Sequence, residues 1–507
     1  MRPGISALTL SLLGLCASVY AATSNDTRLV EAVKTGDRAG AISLLEQHVS
    51  AKLGEPDGTT ALHWAVHHDD VDLAQRLIRA GADVNAVNQY QITPMAEASI
   101  IGNTVMIETL LKAGADANAK NGDGQTALMG IARTGNVEAA RLLLERGADV
   151  NAKENWRGQT ALMWAVAAGL PEMVKELVAH KADLNARSNV NHWDRDVTAE
   201  PRRKYMPLGG WTPLLFAARE GCLECARILV EAGADLNIQD PDGVSPIVTA
   251  TVNGHYDIAA YLVEKGADVN LADHWGRAAL WAAVDMHTLP HSSRPDAVES
   301  ESVSSTDLLK LVLAHGADVN ATLVLFPPYR SLGDRGLDNF LGIGATPLLR
   351  AAKAGDIVAI KWLLEKGADP NTPTMTGHTP LMAAAGLGSR DSDSRGQYKT
   401  ESDALESVKL LFNAGAKIDV TEEARGQTPL HGAAFWGWNS VVQFLADHGA
   451  RLDAKDKKGQ TPMDSAMGRA GGQARGDRID VHADTAALLK KLMSANAPTA
   501  LNRNEPQ

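Results

Sequence analysis

A chain of 507 residues is long enough for about three globular domains. Its 49 basic and 61 acidic side chains leave a formal net charge of −12, which opposes the positive field needed to displace counterions from nucleic acid. Aromatic residues make up only 5%, as expected when Ala and Leu fill thin layers, and no segment after residue 21 is apolar enough to cross a bilayer.

The first 21 residues form a segment of their own. Arg2 precedes the apolar stretch Ile5–Val19, and Val19-Tyr-Ala21 offers small residues suited to cleavage after Ala21. This pattern predicts a secretory signal peptide, because the apolar run is too short for a comfortable membrane span. The competing reading is a first helix of the folded part. A lipid anchor at Cys16 is disfavoured by Leu15, where such motifs carry a small residue. Removal of the segment leaves 48 basic and 61 acidic side chains, a net charge of −13. The mature chain is expected in the periplasm or outside the cell, as a monomer.

From residue 22 to 494 one phrase keeps returning. It reads Gly81-Ala-Asp-Val-Asn85, Gly114-Ala-Asp-Ala-Asn118, Gly147-Ala-Asp-Val-Asn151, Gly233-Ala-Asp-Leu-Asn237, Gly266-Ala-Asp-Val-Asn270, Gly316-Ala-Asp-Val-Asn320 and Gly367-Ala-Asp-Pro-Asn371. Thr60, Thr93, Thr126, Thr160, Thr212, Ser245, Ala278, Thr346, Thr379, Thr428 and Thr461 share one column, with steps of 33 or 34 residues wherever no insertion intervenes. A fixed period of this length predicts a solenoid whose units bury their apolar faces only against neighbours. Ten complete units follow, between atypical ones at about 27–54 and 461–493.

Each unit predicts two short antiparallel helices. The Thr or Ser is placed to cap the first helix, and a proline often follows, as in Thr93-Pro94 and Thr346-Pro347. The second helix carries apolar runs such as Leu142-Leu143-Leu144 and ends at the glycine of Gly-Ala-Asp. Lys181 replaces that glycine once, which predicts a local strain of roughly 1 kcal/mol. The period is interrupted at 189–210, 287–305, 323–344 and 388–404. The second and fourth insertions are rich in Ser, Asp and Glu and read as solvated loops. Residues 495–507 are expected to be a disordered tail.

The pattern resembles the ankyrin repeat. Thr60-Ala-Leu-His63-Trp-Ala65 and Thr428-Pro-Leu-His431-Gly-Ala433 stand against that family's Thr-Pro-Leu-His-x-Ala. The resemblance implies an all-α solenoid of stacked helix pairs with hairpin-like fingers and a concave binding surface. It also implies a non-catalytic protein that binds another protein, without a cofactor.

Repeat alignment then nominates the surface. Columns after the Thr-x-Leu-His place hold Trp64, His67, Trp164, Phe216, Arg219, Arg350, Phe435 and Trp436, with His68 and Lys353 beside them. Finger tips add Tyr90, Trp156 and Trp275. The insertion at 189–210 supplies Trp193, Arg202, Arg203 and Tyr205, and that at 323–344 supplies Phe326, Tyr329, Arg330 and Phe340. Trp, Tyr and Arg are the side chains that most often dominate interfaces, so two enlarged fingers could clamp a partner. They could equally just cover edges of the stack.

Two pairs carry the alternative, an accessory enzyme dependent on redox or metal chemistry. Cys222 and Cys225 are a candidate disulfide or thiol pair at the start of a helix, although Cys225 also aligns with packed positions such as Ala139 and Ala359. His63 and His67 stand four apart on a helix, a spacing that can serve one metal ion, but no glutamate follows the first. Phosphate loops and nucleophile elbows are absent from the sequence, and the recurring aspartates of Gly-Ala-Asp read as turn residues.

Overall fold

The structure, a computed structural model, describes residues 26–192, 196–197, 204–205, 208–288, 302–326, 339–389, 399–468 and 481–495. The expected signal peptide and residues 496–507 of the expected tail lie outside these residues, while residue 495 closes the last helix, Ala483–Ala495. The chain divides into two units, Met1–Ala182 and Asp183–Gln507. Described residues of the first unit form five helix pairs, from Arg28–Lys34 and Arg38–Glu46 to Ala161–Ala167 and Pro171–Ala179. Those of the second form seven, from Pro213–Glu220 and Leu223–Glu231 to Pro462–Ala466 and Ala483–Ala495. Helices of seven to ten residues predominate, too short to persist alone in water, so packing between repeats holds them.

The capping column does what its chemistry predicts. Thr93, Thr160, Thr212, Ser245, Thr346 and Thr379 each accept the N–H three residues on. Thr126 departs: its Oγ1 is buried and has no partner among the described residues. Behind the caps, Leu62, Ala65 and Val66 of one helix meet Leu73, Ala74 and Leu77 of its mate, all buried. At the end of the second helix Gly81 sits at φ +89°, and Lys181 in the same place is forced to +64°.

The repeated asparagine proves to be a clasp. The Asn85 side chain donates to the Gly114 carbonyl at 3.1 Å and accepts the Asp116 N–H at 2.8 Å. Asn118 does the same to Gly147 and Asp149, and in the second unit Asn270 does so to Gly316 and Asp318. The aspartate of the phrase turns inward on its own repeat, accepting the N–H of that asparagine, as Asp83 does from Asn85 at 2.9 Å. The phrase thus satisfies backbone groups at the exposed edge of the stack and ties each of these units to the next.

Insertions add local detail. Asp196–Val197 pairs antiparallel with Lys204–Tyr205, so the first insertion contributes the one two-stranded sheet among the described residues. Helices begin earlier than the solvated-loop reading allows, at Glu401 instead of beyond residue 404. The reason is a capping box in which Thr400 and Asp403 bond reciprocally. Ser304 and Asp307 do the same before Ser305–Ala314.

Candidate functional site

In the first unit the inner helices and finger turns stay open. Trp64 is half-buried; its Nε1 donates to Glu55 at 2.8 Å, and Lys34 both pairs with Glu55 and stands 5.4 Å from the indole centre. His67 is exposed and meets Glu97 at 2.6 Å. Three repeats on from Trp64, the finger turn carries Trp156, 77% exposed, and the helix behind it carries half-buried Trp164. The buried Trp164 Nε1–H has no acceptor among the described residues.

These two tryptophans belong to one cavity of about 420 Å³, which Asp123, Arg133, Glu154 and Arg157 also line. Local structure explains each position. Glu154 is buried because its carboxylate shapes the turn: it accepts the N–H groups of Trp156 at 2.6 Å, Arg157 at 2.8 Å and Gln159 at 2.9 Å. That turn pushes Trp156 outward. Arg133 comes from the helix Ala127–Thr134, in the column that also holds His67 and, 67% exposed, Ile100. Neither Arg133 nor Arg157 forms an ion pair among the described residues.

The second unit corrects several expectations. Arg350 is not a surface residue: it is 1% exposed, and its Nε donates to Asp285 at 2.7 Å. Lys353 is sealed as well, and Phe340 of the third insertion is buried, stacked on His378 at 3.7 Å. Phe216 is buried edge-on to Trp211. Exposed Arg219 lies over both rings and pairs with Glu220. Trp275 is buried too, because the start of the third insertion folds onto its finger, with the Val324 N–H donating to the Trp275 carbonyl at 2.9 Å. Insertion residues cover two of these positions, Val324 at Trp275 and Phe340 at Lys353, whereas Arg350 and Phe216 are closed by Asp285 and Trp211 of the repeats themselves.

Other nominated residues divide. Phe326 is half-buried, close to Gly342, where an added Cβ would meet its ring at 2.5 Å. Phe435 and Trp436 are half-buried and edge-on to one another; Trp436 donates to the Gly386 carbonyl at 2.8 Å and stacks near Trp438. Trp193, Arg202, Arg203, Tyr329 and Arg330 lie outside the described residues, and only the backbone of Tyr205 is placed, in the hairpin. The two-finger clamp therefore has no described geometry.

The two candidate chemical pairs separate clearly. His63 Nδ1 accepts the Thr60 N–H at 3.1 Å, which leaves the proton on Nε2 to bond the Ile92 carbonyl of the next finger at 3.0 Å. Both nitrogens are spent, so His63 and His67 do not form a metal pair. His431 repeats the arrangement with Thr428 and Gln460. Burial pushes both imidazoles below the usual histidine range. Cys222 and Cys225, by contrast, are joined in a disulfide. Cys225 is on the packed face as aligned, and Cys222 caps the helix Leu223–Glu231, so the bond links cap to third residue.

Glu154 was missed by the sequence reading. Its signal was available: Glu422 holds the same place in a turn one residue longer than most, and likewise accepts three backbone N–H groups.

Comparison with known proteins agrees with this architecture. A family model described as ankyrin repeats (3 copies) matches residues 29–121, 96–188, 192–288, 296–392 and 398–473. Cyclin-dependent kinase 4 inhibitor B of Rattus norvegicus is 33% identical over 119 residues, 24% of this chain and 79% of that protein. A transient receptor potential cation channel subfamily A member 1 homolog of Caenorhabditis elegans is 31% identical over 124 residues, 24% of this chain. Palmitoyltransferase ZDHHC13 of Mus musculus is 28% identical over 199 residues, 32% of this chain. The matches span only 9% of the channel homolog and 30% of the transferase.

Proposed function

Because the chain belongs to the ankyrin-repeat family, we propose that it is a non-catalytic protein-binding scaffold that grips its partner through the inner helices and finger turns of the first unit. One observation carries this reading: Trp156 stands 77% exposed on a turn fixed by Glu154, beside Trp164 and two arginines that have no ion pair among the described residues, around a cavity of about 420 Å³. Exposing a tryptophan on a rigid turn costs solvation, and a partner that buries it recovers that cost with little ordering entropy lost. Two relatives, the kinase inhibitor and the transferase, show that this repeat serves both inhibitors and enzymes by name, which fits a recognition module. The absence of catalysis is part of the proposal.

The composition of residues 1–21 supports export of the scaffold. Intact-mass measurement of the protein from its native source checks this, with a mature chain beginning at Ala22 as the expected result.

The decisive experiment uses the full mature chain as bait in the native extract, alongside Trp156→Ala and Trp164→Ala. A partner retained by the wild type should be lost by at least one variant, with melting curves showing both variants folded. Equal retention by all three would remove the first unit's groove as the binding surface. The disulfide favours a second reading, thiol exchange at Cys222; failure of a dithiol to reduce the bond in the folded protein would end it.

A further inference from the structure

We infer that the cavity between the finger turns at 121–125 and 154–159 receives an acidic peptide segment, with a carboxylate side chain held by Arg133 and Arg157 and an adjacent apolar side chain laid against Trp156 and Trp164. This inference rests on the protein-binding reading and names the chemistry of the partner at that same surface.

Charge bookkeeping of the groove carries the choice. Along the inner face of the first unit the carboxylates are already engaged. Glu55 takes Lys34 and Trp64, Glu97 takes His67, and Glu154 is filled by three backbone N–H groups. The guanidinium groups are not: Arg133 and Arg157 are exposed, line the same cavity, and have no ion pair among the described residues. Asp123 is the one lining carboxylate that spends no side-chain oxygen on a described partner, and it lies exposed at the turn tip. The unspent groups are thus two cations and an indole N–H against a single anion, a surplus of donors seeking an acceptor.

A planar guanidinium offers parallel N–H groups that match a carboxylate, and two of them on one cavity favour an anion over any cation. A cationic peptide would meet two guanidinium groups that have no ion pair among the described residues, and of the two lining carboxylates only Asp123 has oxygens left to receive it. The volume lies within the range of ordinary binding sites, about 300–1,000 Å³, and admits side chains, not a folded domain. Beside the arginines, Trp156 supplies exposed apolar surface, with Ile100 exposed one repeat away in the column of Arg133, which selects a residue such as Leu or Phe next to the acid. The first unit therefore reads a short mixed motif, acid beside apolar, in a chain whose overall charge is negative.

Fluorescence anisotropy of the full mature chain tests this with a labelled peptide carrying Glu-Leu-Glu-Leu in a Gly/Ser frame. Control peptides replace Glu by Gln or by Lys. Expected results are binding of the Glu peptide that weakens with added salt, and a loss of about tenfold or more for the Gln peptide, for the Arg133→Gln/Arg157→Gln protein and for Trp156→Ala. Arg133→Lys/Arg157→Lys should recover part of the affinity, since charge is kept while the paired N–H geometry is lost. Equal binding of the Gln or Lys peptide, or no effect of the arginine substitutions, overturns the acidic motif. If no peptide binds while Trp156→Ala still loses the native partner, the motif is wrong and the scaffold reading stands. If no peptide binds and that partner is retained by both tryptophan variants, both fall.

Discussion

Arg350 Nε meets Asp285 Oδ1 at 2.7 Å with both side chains closed to solvent, 65 residues apart in sequence and on the first helices of adjacent repeats. A buried pair of this kind adds little net stability as a pair, but each partner depends on the other. Asp285→Ala removes the described carboxylate partner of a buried guanidinium and should cost up to about 3–5 kcal/mol in urea unfolding. The double replacement Arg350→Met/Asp285→Leu should restore most of that loss. A single variant as stable as the wild type would show that water reaches the pair.

Lys181 takes the glycine place of the phrase and holds its side chain at positive φ, +64°, as His48 does at +59° in the same column of the first helix pair. Lys181→Gly relieves the clash but frees the unfolded chain, so the net gain should be about 1 kcal/mol at most. The unfolding midpoint measures it. A destabilised variant would mean that the lysine side chain makes a compensating contact.

His63 and His431 should make the protein acid-sensitive. Their folded pKa values lie below the unfolded value near 6.5, because burial disfavours the imidazolium. On acidification the unfolded chain therefore takes up the proton first. The stability they contribute is complete above about pH 6.5 and is lost as pH falls from there through the folded value. Melting temperature against pH, compared with His63→Gln/His431→Gln, checks this: the double variant should start less stable and decline less steeply between about pH 6.5 and 5.

Asp240 pulls in the opposite direction. Burial, with Asp242 and Asp273 nearby, raises its carboxyl to about 6, although it accepts the N–H groups of Asp242 and Val244. An acid with a raised folded pKa costs stability above that value and recovers it as pH falls toward the unfolded value. Asn88 and Asn121 hold the same turn position with the same two bonds and no charge. Asp240→Asn should accordingly stabilise by about 1–2 kcal/mol at pH 8, discounted for partial exposure, and by almost nothing near pH 4. An equal gain at both pH values would locate the effect elsewhere.

The solenoid was legible because each repeat is a local object: Thr cap, apolar helix, glycine stop and aspartate turn all act within about 33 residues. Positions in plain repeats came out where alignment put them, such as open Trp156 and His67 or packed Cys225. What failed was exposure near the insertions. Arg350 and Phe216 share the column of Trp64 and Trp164 yet are closed by Asp285 and Trp211, and Trp275 is covered by Val324 of an insertion; periodicity is blind to which partner a given repeat or a non-repeating segment brings. The disulfide was visible as a pair of residues and undecided as a bond, since spacing alone fits either packing or linkage. Charge accounting in the cavity was not legible at all: whether Arg133 is spent depends on neighbours a repeat away.

The asparagine clasp has a practical corollary. Asn85 reaches Gly114 across 29 residues at 3.1 Å, and Asn270 reaches Gly316 across 46 at the same length. The stitch between repeats is indifferent to how much chain loops out between the two helices of the intervening unit. Foreign sequence grafted at such a point, for instance between Gly135 and Val137, leaves the stitches on either side untouched, so the molecule offers ready-made ports for cargo or reporter segments.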